Sequence, residues 1–296
     1  MRKNLVIVRA GDQSLHPSWL EGPEERNWDL LVSYYGDDPH LFRKEDVLRI
    51  DAKGLKWPAL YDLIRDRADD LINYEYIWLP DDDLACDKAG INRLFVLCHK
   101  YDLELAQPSL SINSYATHLI TLRNRSFILR YTNFVEIMAP CFSSSFLNRC
   151  HSSFSETFSG HGLDYLWPTW VSDITKIAII DNVIIRHTRP IGGPSYGLLA
   201  QHGVTSYDER LALLLKYEIR TLDKIVTGGI DLDGRKLTIS DHSHSKLISL
   251  LLCGYLPELA YKADLLLHLV NHSLNLLPPA IWAPSSKSID IIDRVA

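Results

Sequence analysis

Apolar residues in the first hundred positions form short continuous runs that alternate with helical patterns. Runs at Asn4 to Arg9, Trp28 to Tyr35 and Tyr76 to Leu79 are each short enough for one buried strand. Between Leu60 and Leu71, and again from Lys88 to Tyr101, apolar residues recur at helical spacing. Strands and helices in this order predict an α/β fold with a mostly parallel, Rossmann-like central sheet flanked by helices.

The middle of the chain has a weaker pattern. Residues 109–133 are polar and predict irregular structure, whereas the apolar run Phe134 to Ala139 predicts a strand that Pro140 ends. Lys176 to Arg186 predicts either a strand pair or one bent strand, and His187 follows it directly.

The last hundred residues differ in character. Tyr207 to Leu222 predicts an amphipathic helix, Asp233-Gly234 predicts the turn of a hairpin, and Leu-rich helical segments follow. We therefore expect a sheet-based domain at residues 1–195 and an α-rich C-terminal appendage at residues 196–296 that is not part of the sheet.

Composition and charge argue against several classes of protein. The chain has 296 residues, a formal net charge of -6 and no long basic run, which argues against a nucleic-acid partner. Its five cysteines are odd in number and never occur as CxxC, which is typical of a reducing, cytoplasmic setting. Apolar segments near both ends are too short for a signal peptide or a spanning helix. We expect no transmembrane segment, and peripheral membrane contact and a homo-oligomer stay open.

Three consecutive carboxylates, Asp81, Asp82 and Asp83, follow the third apolar run. Loops at the carboxyl ends of parallel strands are where open α/β sheets bind ligands. In an extended segment alternate residues point the same way, so Asp81 and Asp83 can reach one ion while Asp82 turns aside. Oxygen ligands of this kind suit Mg²⁺ or Mn²⁺. The alternative interpretation is a solvated acidic turn.

Several blocks of sequence, taken together and in order, resemble an uncharacterised domain family whose members look like GT-A-type glycosyltransferases. The resemblance covers about residues 4–195. The blocks are NLVIVRAGDQSLHPSWL, KGLKW, YIWLPDDDL, LELAQPSLS, VEIMAPCFS, GHGLDYLW and IIDNVIIRHTRPIGG.

The resemblance implies transfer of a sugar from a nucleotide-diphosphate donor to a hydroxyl of a carbohydrate or glycan acceptor. Asp81 and Asp83 match the two acids of a DxD motif, which binds the donor diphosphate through Mn²⁺ or Mg²⁺, and His187 stands where a late histidine completes that metal site. Asp164 matches the acid that acts as the base in inverting enzymes. The expected donor contacts are Arg9, Gly11, Asp12, Gly36, Asp37, Lys53, Lys56 and Asp82.

Each of these assignments has a simpler alternative. Asp164 stands alone where many relatives of the fold have an acidic pair, which leaves the stereochemistry open, and a helix cap after a glycine turn explains it as well. His187 alone is typical of an ordinary loop histidine, and Lys53 and Lys56 of exposed surface charges.

Two other functions compete with sugar transfer. A phosphohydrolase of the haloacid-dehalogenase kind also uses DxD, but normally after the first strand and followed by Thr or Val where this chain has Ala85. The second alternative is a non-catalytic nucleotide- or carbohydrate-binding module of the same fold, which would not need a catalytic base such as Asp164.

Overall fold

The computed structural model describes residues 2–190, 199, 203–238 and 244–259. Within these ranges one sheet contains the strands β1 (Asn4–Ala10), β2 (Trp28–Tyr34), β3 (Leu48–Asp51), β4 (Tyr76–Trp78), β5 (Leu84–Ala85), β6 (Leu105–Leu110), β7 (Phe127–Thr132), β8 (Cys141–Ser143), β9 (Ile177–His187), β10 (Val226–Asp231) and β11 (Lys236–Thr238). The α-helices of the same ranges are α1 (Lys56–Asp66), α2 (Ala68–Leu71), α3 (Lys88–Lys100), α4 (Ser144–Cys150), α5 (Leu163–Leu166), α6 (Ser206–Lys216) and α7 (His244–Leu259).

The central sheet is mostly parallel, as the sequence predicts. Its order is β11-β10-β7-β9-β6-β8-β4-β1-β2-β3, with β5 paired separately to β9. The strands β1, β2, β3, β4, β6, β9 and β10 run in one direction, and β7, β8 and β11 run in the other.

Strand β1 marks the point where the chain changes direction across the sheet. The chain goes from β1 outward to β2 and β3, and α1 and α2 then return it to β4 on the other side of β1. In open α/β sheets such a point opens a ligand crevice at the carboxyl ends of the two central strands. Antiparallel β8 lies beside β4, so the doubly wound order is limited to β3-β2-β1-β4.

The two faces of β1 belong to two separate layers of the core. Val6 and Val8 pack with Phe95 and other buried residues of α3, whereas Leu5 and Ile7 belong to the cluster that contains Leu60 of α1. Successive side chains of a strand point to opposite faces, so a continuous apolar run is the pattern expected for a strand covered on both sides. The site at the end of β1 therefore rests on a rigid, fully buried support.

The prediction of a strand at Phe134 to Ala139 is wrong. The strands lie on either side of it, as β7 and β8, so the irregular structure expected over residues 109–133 is also wrong for Phe127–Thr132. The backbone of the apolar run bonds outside the sheet: Ile137 O accepts from Lys56 Nζ at 2.9 Å, and Met138 O accepts from Asp81 N at 2.8 Å. Its apolar side chains cover the core while its peptide groups hold the acidic loop.

Strand β3 was not predicted, because it is a four-residue edge strand that contains Arg49 and Asp51. The acidic triplet therefore follows the fourth strand along the chain and not the third. In contrast, the segment predicted at Lys176 to Arg186 forms one bent strand that begins at Ile177, since the pairing of β9 with β6 jumps from Ile180 to Ile184.

The C-terminal region does not stand apart from the sheet. The hairpin β10–β11, whose turn contains Gly234 at φ 80°, pairs with β7 and extends the sheet by two strands. The appendage predicted outside the sheet is thus wrong for Val226–Thr238, while the limits 1–195 and 196–296 stay a prediction. The Leu-rich segments predicted beyond residue 259 lie outside the described residues. No helix of the described ranges is long and apolar enough to cross a membrane.

A buried ion pair joins β7, β9 and α7. Arg130 Nε and Nη2 donate to the two carboxylate oxygens of Asp181 at 2.7 and 2.9 Å, and both side chains are fully buried. Arg130 Nη1 also bonds to the hydroxyl of Tyr255 on α7 at 2.6 Å. Asn124 Nδ2 donates to Leu251 O of the same helix at 2.9 Å. These bonds make α7 part of the core.

We expect Tyr255→Phe to lower the free energy of unfolding by about 1 to 3 kcal/mol, because a buried guanidinium loses its hydroxyl partner. Urea denaturation measures the change. Tyr115→Phe is the matched control, since Tyr115 is half exposed. Equal effects of the two substitutions would show that the bond between Arg130 and Tyr255 contributes nothing to stability.

Candidate active site

A cavity of about 520 Å³ opens at the carboxyl ends of β1 and β4. This volume is within the usual range for sites that bind small molecules. Seven residues predicted from the sequence line it: Arg9, Lys56, Asp81, Asp82, Asp83, Asp164 and His187. The other five, Gly11, Asp12, Gly36, Asp37 and Lys53, do not.

Each acid of the triplet contacts a different cation. Asp81 Oδ1 lies 2.6 Å from Lys56 Nζ, in the first turn of α1. Burial raises the pKa of Asp81, and the charge of Lys56 opposes that rise. Because the Asp81 side chain is still 38% exposed, its carboxylate remains open to a ligand in the cavity.

Asp83 forms an ion pair with His187 at the end of β9. Asp83 Oδ2 lies 3.2 Å from His187 Nε2, and His187 Nδ1 lies 2.7 Å from Tyr115 O. With an oxygen acceptor at each nitrogen, the ring is an imidazolium. Burial acts to lower the pKa of His187, but the bonds to Asp83 and to the Tyr115 carbonyl outweigh it and raise the value to about 9.

Asp82 connects the acidic loop to the loop after β1. Its Oδ2 accepts the N–H of Gly11 at 2.8 Å, and its Oδ1 lies 3.3 Å from Arg189 Nη1. Burial raises the pKa of Asp82 to about 6, against the stabilising N–H of Gly11. A Cβ at Gly11 would lie 2.8 Å from the Tyr35 hydroxyl oxygen, so a larger residue there would require the Tyr35 side chain to shift.

The donor set of the acidic loop fits a hard divalent cation. Asp81 and Asp83 supply carboxylate oxygens, and His187 supplies an imidazole nitrogen once it gives up its proton, which are ligands that Mn²⁺ accepts. Asp83 Oδ1 is buried and bonds to no group in the described part of the chain. Among residues 2–190, 199, 203–238 and 244–259, no three acidic, His or Cys side chains form a ready metal cluster. Lys56 and His187 hold the acids instead.

Asp164 lies on α5, a short helix that begins after Gly162. The φ of Gly162 is 103°, a left-handed conformation that glycine adopts without strain, and its N–H donates to Asp164 Oδ1 at 3.2 Å. Asp164 is 4% exposed. Burial raises its pKa to about 6, with Lys224 and the Gly162 N–H opposing the rise. At neutral pH this group is a carboxylate with greater basicity than a surface aspartate.

A second buried carboxyl, Glu136, lines the same cavity. From the sequence, Glu136 is a candidate for the acceptor side together with Gln107 and Met138. Its Oε2 is buried and has no hydrogen-bond partner within the described residues. Burial, and next the charge of Asp164, raise the pKa of Glu136 to about 8. An acid inside an apolar run that Pro140 ends was the available signal, but it also fits a strand end.

Arg9 lies on β1 and lines the cavity, but its guanidinium donates hydrogen bonds to other residues of the protein. Its Nη1 donates to Ser33 Oγ at 2.9 Å and to Ala52 O at 2.7 Å, and its Nη2 donates to Gly54 O at 2.6 Å. Burial lowers the pKa of Arg9 to about 10, so it remains cationic at neutral pH. Its main observed contact is with the loop between β3 and α1.

The other expected donor contacts form a separate group at the surface. Asp12 accepts from the Tyr34 hydroxyl and from Asp37 N, and Lys53 Nζ donates to Gly36 O at 2.5 Å and to Asp37 Oδ1 at 2.6 Å. These bonds join the loops after β1 and β2. The structure thus brings them together beside the cavity and not inside it.

Helix α6 forms one wall of the cavity. Glu209 of α6 accepts hydrogen bonds from Thr157 Oγ1 at 3.0 Å, Phe158 N at 2.6 Å and Ser159 N at 2.8 Å. Phe158 and Tyr207, both partly exposed, line the cavity beside this clamp. Residues after 196 therefore help to build the site.

The raised pKa of Glu136 predicts a pH-dependent stability. In the folded protein Glu136 keeps its proton up to about pH 8, whereas in the unfolded chain it loses the proton near its ordinary value of 4.5. The folded state therefore binds more protons over this interval, and stability falls as pH rises through it. Glu136→Gln, which cannot ionise, should melt progressively higher relative to the parent between pH 5 and pH 8.

Melting temperatures of the two proteins across that pH range measure the difference. Asp164 titrates in both proteins, so the difference isolates Glu136. Glu45→Gln, at an exposed position, is the control and should run parallel to the parent. A Glu136→Gln curve that is also parallel would show that Glu136 is ionised in the folded protein.

Comparison with known proteins adds a distant likeness. No family model and no curated protein matches the chain. Among solved structures it is similar to a nucleotide-diphospho-sugar transferase from Desulfovibrio desulfuricans G20, at 10% identity and a TM-score of 0.40, over 73% of this chain and 99% of that one. It is also similar to GalNAc-T7, crystallised with UDP, GalNAc and Mn²⁺, at 8% identity and a TM-score of 0.46, over 72% of this chain and 50% of that one. The resemblance to GT-A-type enzymes stays a prediction, and the chemistry of the site rests on its own side chains.

Proposed function

We propose that the protein transfers a sugar from a nucleoside-diphosphate donor to a hydroxyl of a carbohydrate acceptor, with the help of a divalent metal ion. The proposal rests on one observation: the acids of the acidic loop and the separate acid Asp164 line the same cavity. Asp81 and Asp83 lie just after β4 and His187 ends β9, while Asp164 comes from α5, more than eighty residues after the acidic loop in the chain. Inverting sugar transfer needs both an anion-binding centre and a base, in one pocket.

The anion-binding centre comes from the acidic loop and its cations. Asp81, Asp83 and His187 would hold Mn²⁺ or Mg²⁺, which stabilises the negative charge that the diphosphate gains as the glycosidic bond breaks. Lys56 and Arg189 line the same cavity and are suited to bind phosphate oxygens. In the structure described here these two cations neutralise Asp81 and Asp82, so the loop keeps a balanced charge without a ligand.

The base comes from α5. A positioned carboxylate accepts the proton of the attacking hydroxyl, and its efficiency is greatest when its pKa approaches the working pH. Asp164, with its pKa raised to about 6, meets this condition. Direct displacement with such a base inverts the configuration at the anomeric carbon, and we propose an inverting reaction.

The strand position of the triplet favours this function over phosphate hydrolysis. The dehalogenase-type arrangement expects its acids after the first strand, and here they follow β4. A non-catalytic binding module would share the acidic loop, so Asp164 is the residue that separates it from a transferase.

We expect a nucleoside diphosphate or its sugar to stabilise the protein only when a divalent ion is present. A ligand at a hundredfold its Kd adds about 2.7 kcal/mol to the free energy of unfolding. Thermal shift with UDP, GDP and their common sugars, each with and without Mn²⁺, measures the effect. Asp83→Asn weakens an anionic ligand and should reduce the Mn²⁺-dependent shift strongly.

Asp46→Asn is the control for that experiment, because Asp46 is exposed and pairs only with Arg26. Stabilisation of equal size without metal would contradict the assignment of Asp81 and Asp83 as metal ligands.

A separate result is expected for Asp164→Asn. Asparagine keeps the size and the bond from Gly162 N–H but cannot accept a proton, so the donor should bind as in the parent while transfer falls by roughly 10² to 10⁴. Donor affinity is measured by calorimetry, and turnover by release of the nucleoside diphosphate in the presence of a panel of sugar acceptors.

Asp66→Asn, on the exposed face of α1, should leave both quantities unchanged. Turnover by Asp164→Asn near the parental rate would mean that Asp164 only caps α5. A parental protein that binds donor but never turns it over would instead indicate a binding module.

A further inference from the structure

The unpartnered carboxyl of Glu136 points to a ligand. Its Oε2 is buried, yet no group of the described residues donates a hydrogen bond to it, although the residue lines the cavity and is only 8% exposed. Buried polar atoms without partners are rare in native proteins because they destabilise the fold. A substrate group in the cavity would supply the missing partner.

The loop that presents Glu136 is held firmly from both sides. Glu136 N donates to Gln107 Oε1 at 2.5 Å. The next two carbonyl groups, of Ile137 and Met138, accept from Lys56 Nζ and from Asp81 N. The backbone at Glu136 is therefore fixed relative to the acidic loop.

Glu136 lines the cavity together with groups from both halves of the proposed reaction. Asp164 is the proposed base, while His187 and Asp81 belong to the proposed metal and phosphate centre. These three groups, with Lys224, also act electrostatically on Glu136. In a direct displacement the transferred sugar lies between the attacking hydroxyl and the departing phosphate, so a carboxyl that lines the same cavity is suited to contact that sugar.

We propose that Glu136 is a specificity-determining residue that hydrogen-bonds to a hydroxyl group of the transferred sugar. This inference rests on the proposed function and adds the contact that selects the sugar. With its pKa raised to about 8, the carboxyl is protonated at neutral pH, so it donates through one oxygen and accepts through the other. A sugar hydroxyl, which is both donor and acceptor, matches this pair of groups.

The test compares two variants, Glu136→Met and Glu136→Gln, with the parent. Methionine fills a similar volume without hydrogen bonds, and glutamine keeps one donor and one acceptor. Calorimetry with Mn²⁺ measures the Kd of UDP and GDP, and of UDP-glucose, UDP-galactose, UDP-N-acetylglucosamine and GDP-mannose. We expect Glu136→Met to bind the free nucleoside diphosphate within about twofold of the parent, and the preferred sugar nucleotide tenfold or more weakly.

Glu136→Gln should recover part of that loss, and Glu45→Gln should match the parent. Both Glu136 variants should melt at or above the parental temperature at pH 8, because a buried unpaired carboxyl is removed. A lower melting temperature, or an equal loss for nucleoside diphosphates and their sugars, would assign Glu136 to the fold or to the phosphate centre and overturn the inference.

If Glu136→Met binds the sugar nucleotide with the parental affinity, this inference fails and the proposed function is unaffected. If the parental protein binds none of these compounds with Mn²⁺, the proposed function fails, and this inference fails with it.

Discussion

Three adjacent carboxylates at the end of a buried strand are the constraint on which the arrangement of the site depends. Like charges in a low-dielectric setting raise one another's free energy, so each needs a cation nearby. Lys56 comes from the start of α1, His187 from the end of β9, and Arg189 from just beyond it. Two of the three pairs, those of His187 and Arg189, join parts of the chain more than a hundred residues apart, and all three give the cavity cationic groups next to anionic ones.

This balance of charge is compatible with the acidic loop both without a ligand and with a bound divalent ion. Without a ligand, each acid has its own cation and the loop is stable. A divalent ion would take over the carboxylates of Asp81 and Asp83, and Lys56 would be left beside the phosphate groups that the ion attracts. Under the proposed function, the same residues would stabilise the loop when it is empty and bind the anion when it is filled.

The sequence predicts the parts of the protein where local pattern and tertiary environment agree. The buried runs of β1, β2 and β4, the amphipathic helices α1 and α3, and the hairpin at Gly234 follow from periodicity and turn chemistry alone. The acidic loop could also be predicted from the sequence, because three consecutive acids after an apolar run are unusual. Its cations could not be paired from the sequence, since the packing of the whole sheet decides where the start of α1 and the end of β9 lie relative to β4.

The failures have physical causes of their own. The run Phe134 to Ala139 has the composition of a strand, but its peptide groups bond to Lys56, Asp81 and Gln107, so the run forms a loop that carries Glu136. The C-terminal hairpin looked separate because nothing in its own residues shows that β7 leaves an edge for it. Glu209, whose clamp shapes the cavity wall, is one of many surface glutamates in the sequence.

The central claim is that the acidic loop binds a divalent ion together with a nucleoside diphosphate, inside the cavity that also contains Asp164. Anomalous diffraction from crystals grown with Mn²⁺ and UDP, or with GDP if it stabilises the protein more, tests it directly. The account predicts one strong manganese peak within bonding distance of Asp83 and of the diphosphate oxygens. A manganese peak elsewhere, or a diphosphate bound in the cavity with no metal beside Asp83, would contradict it.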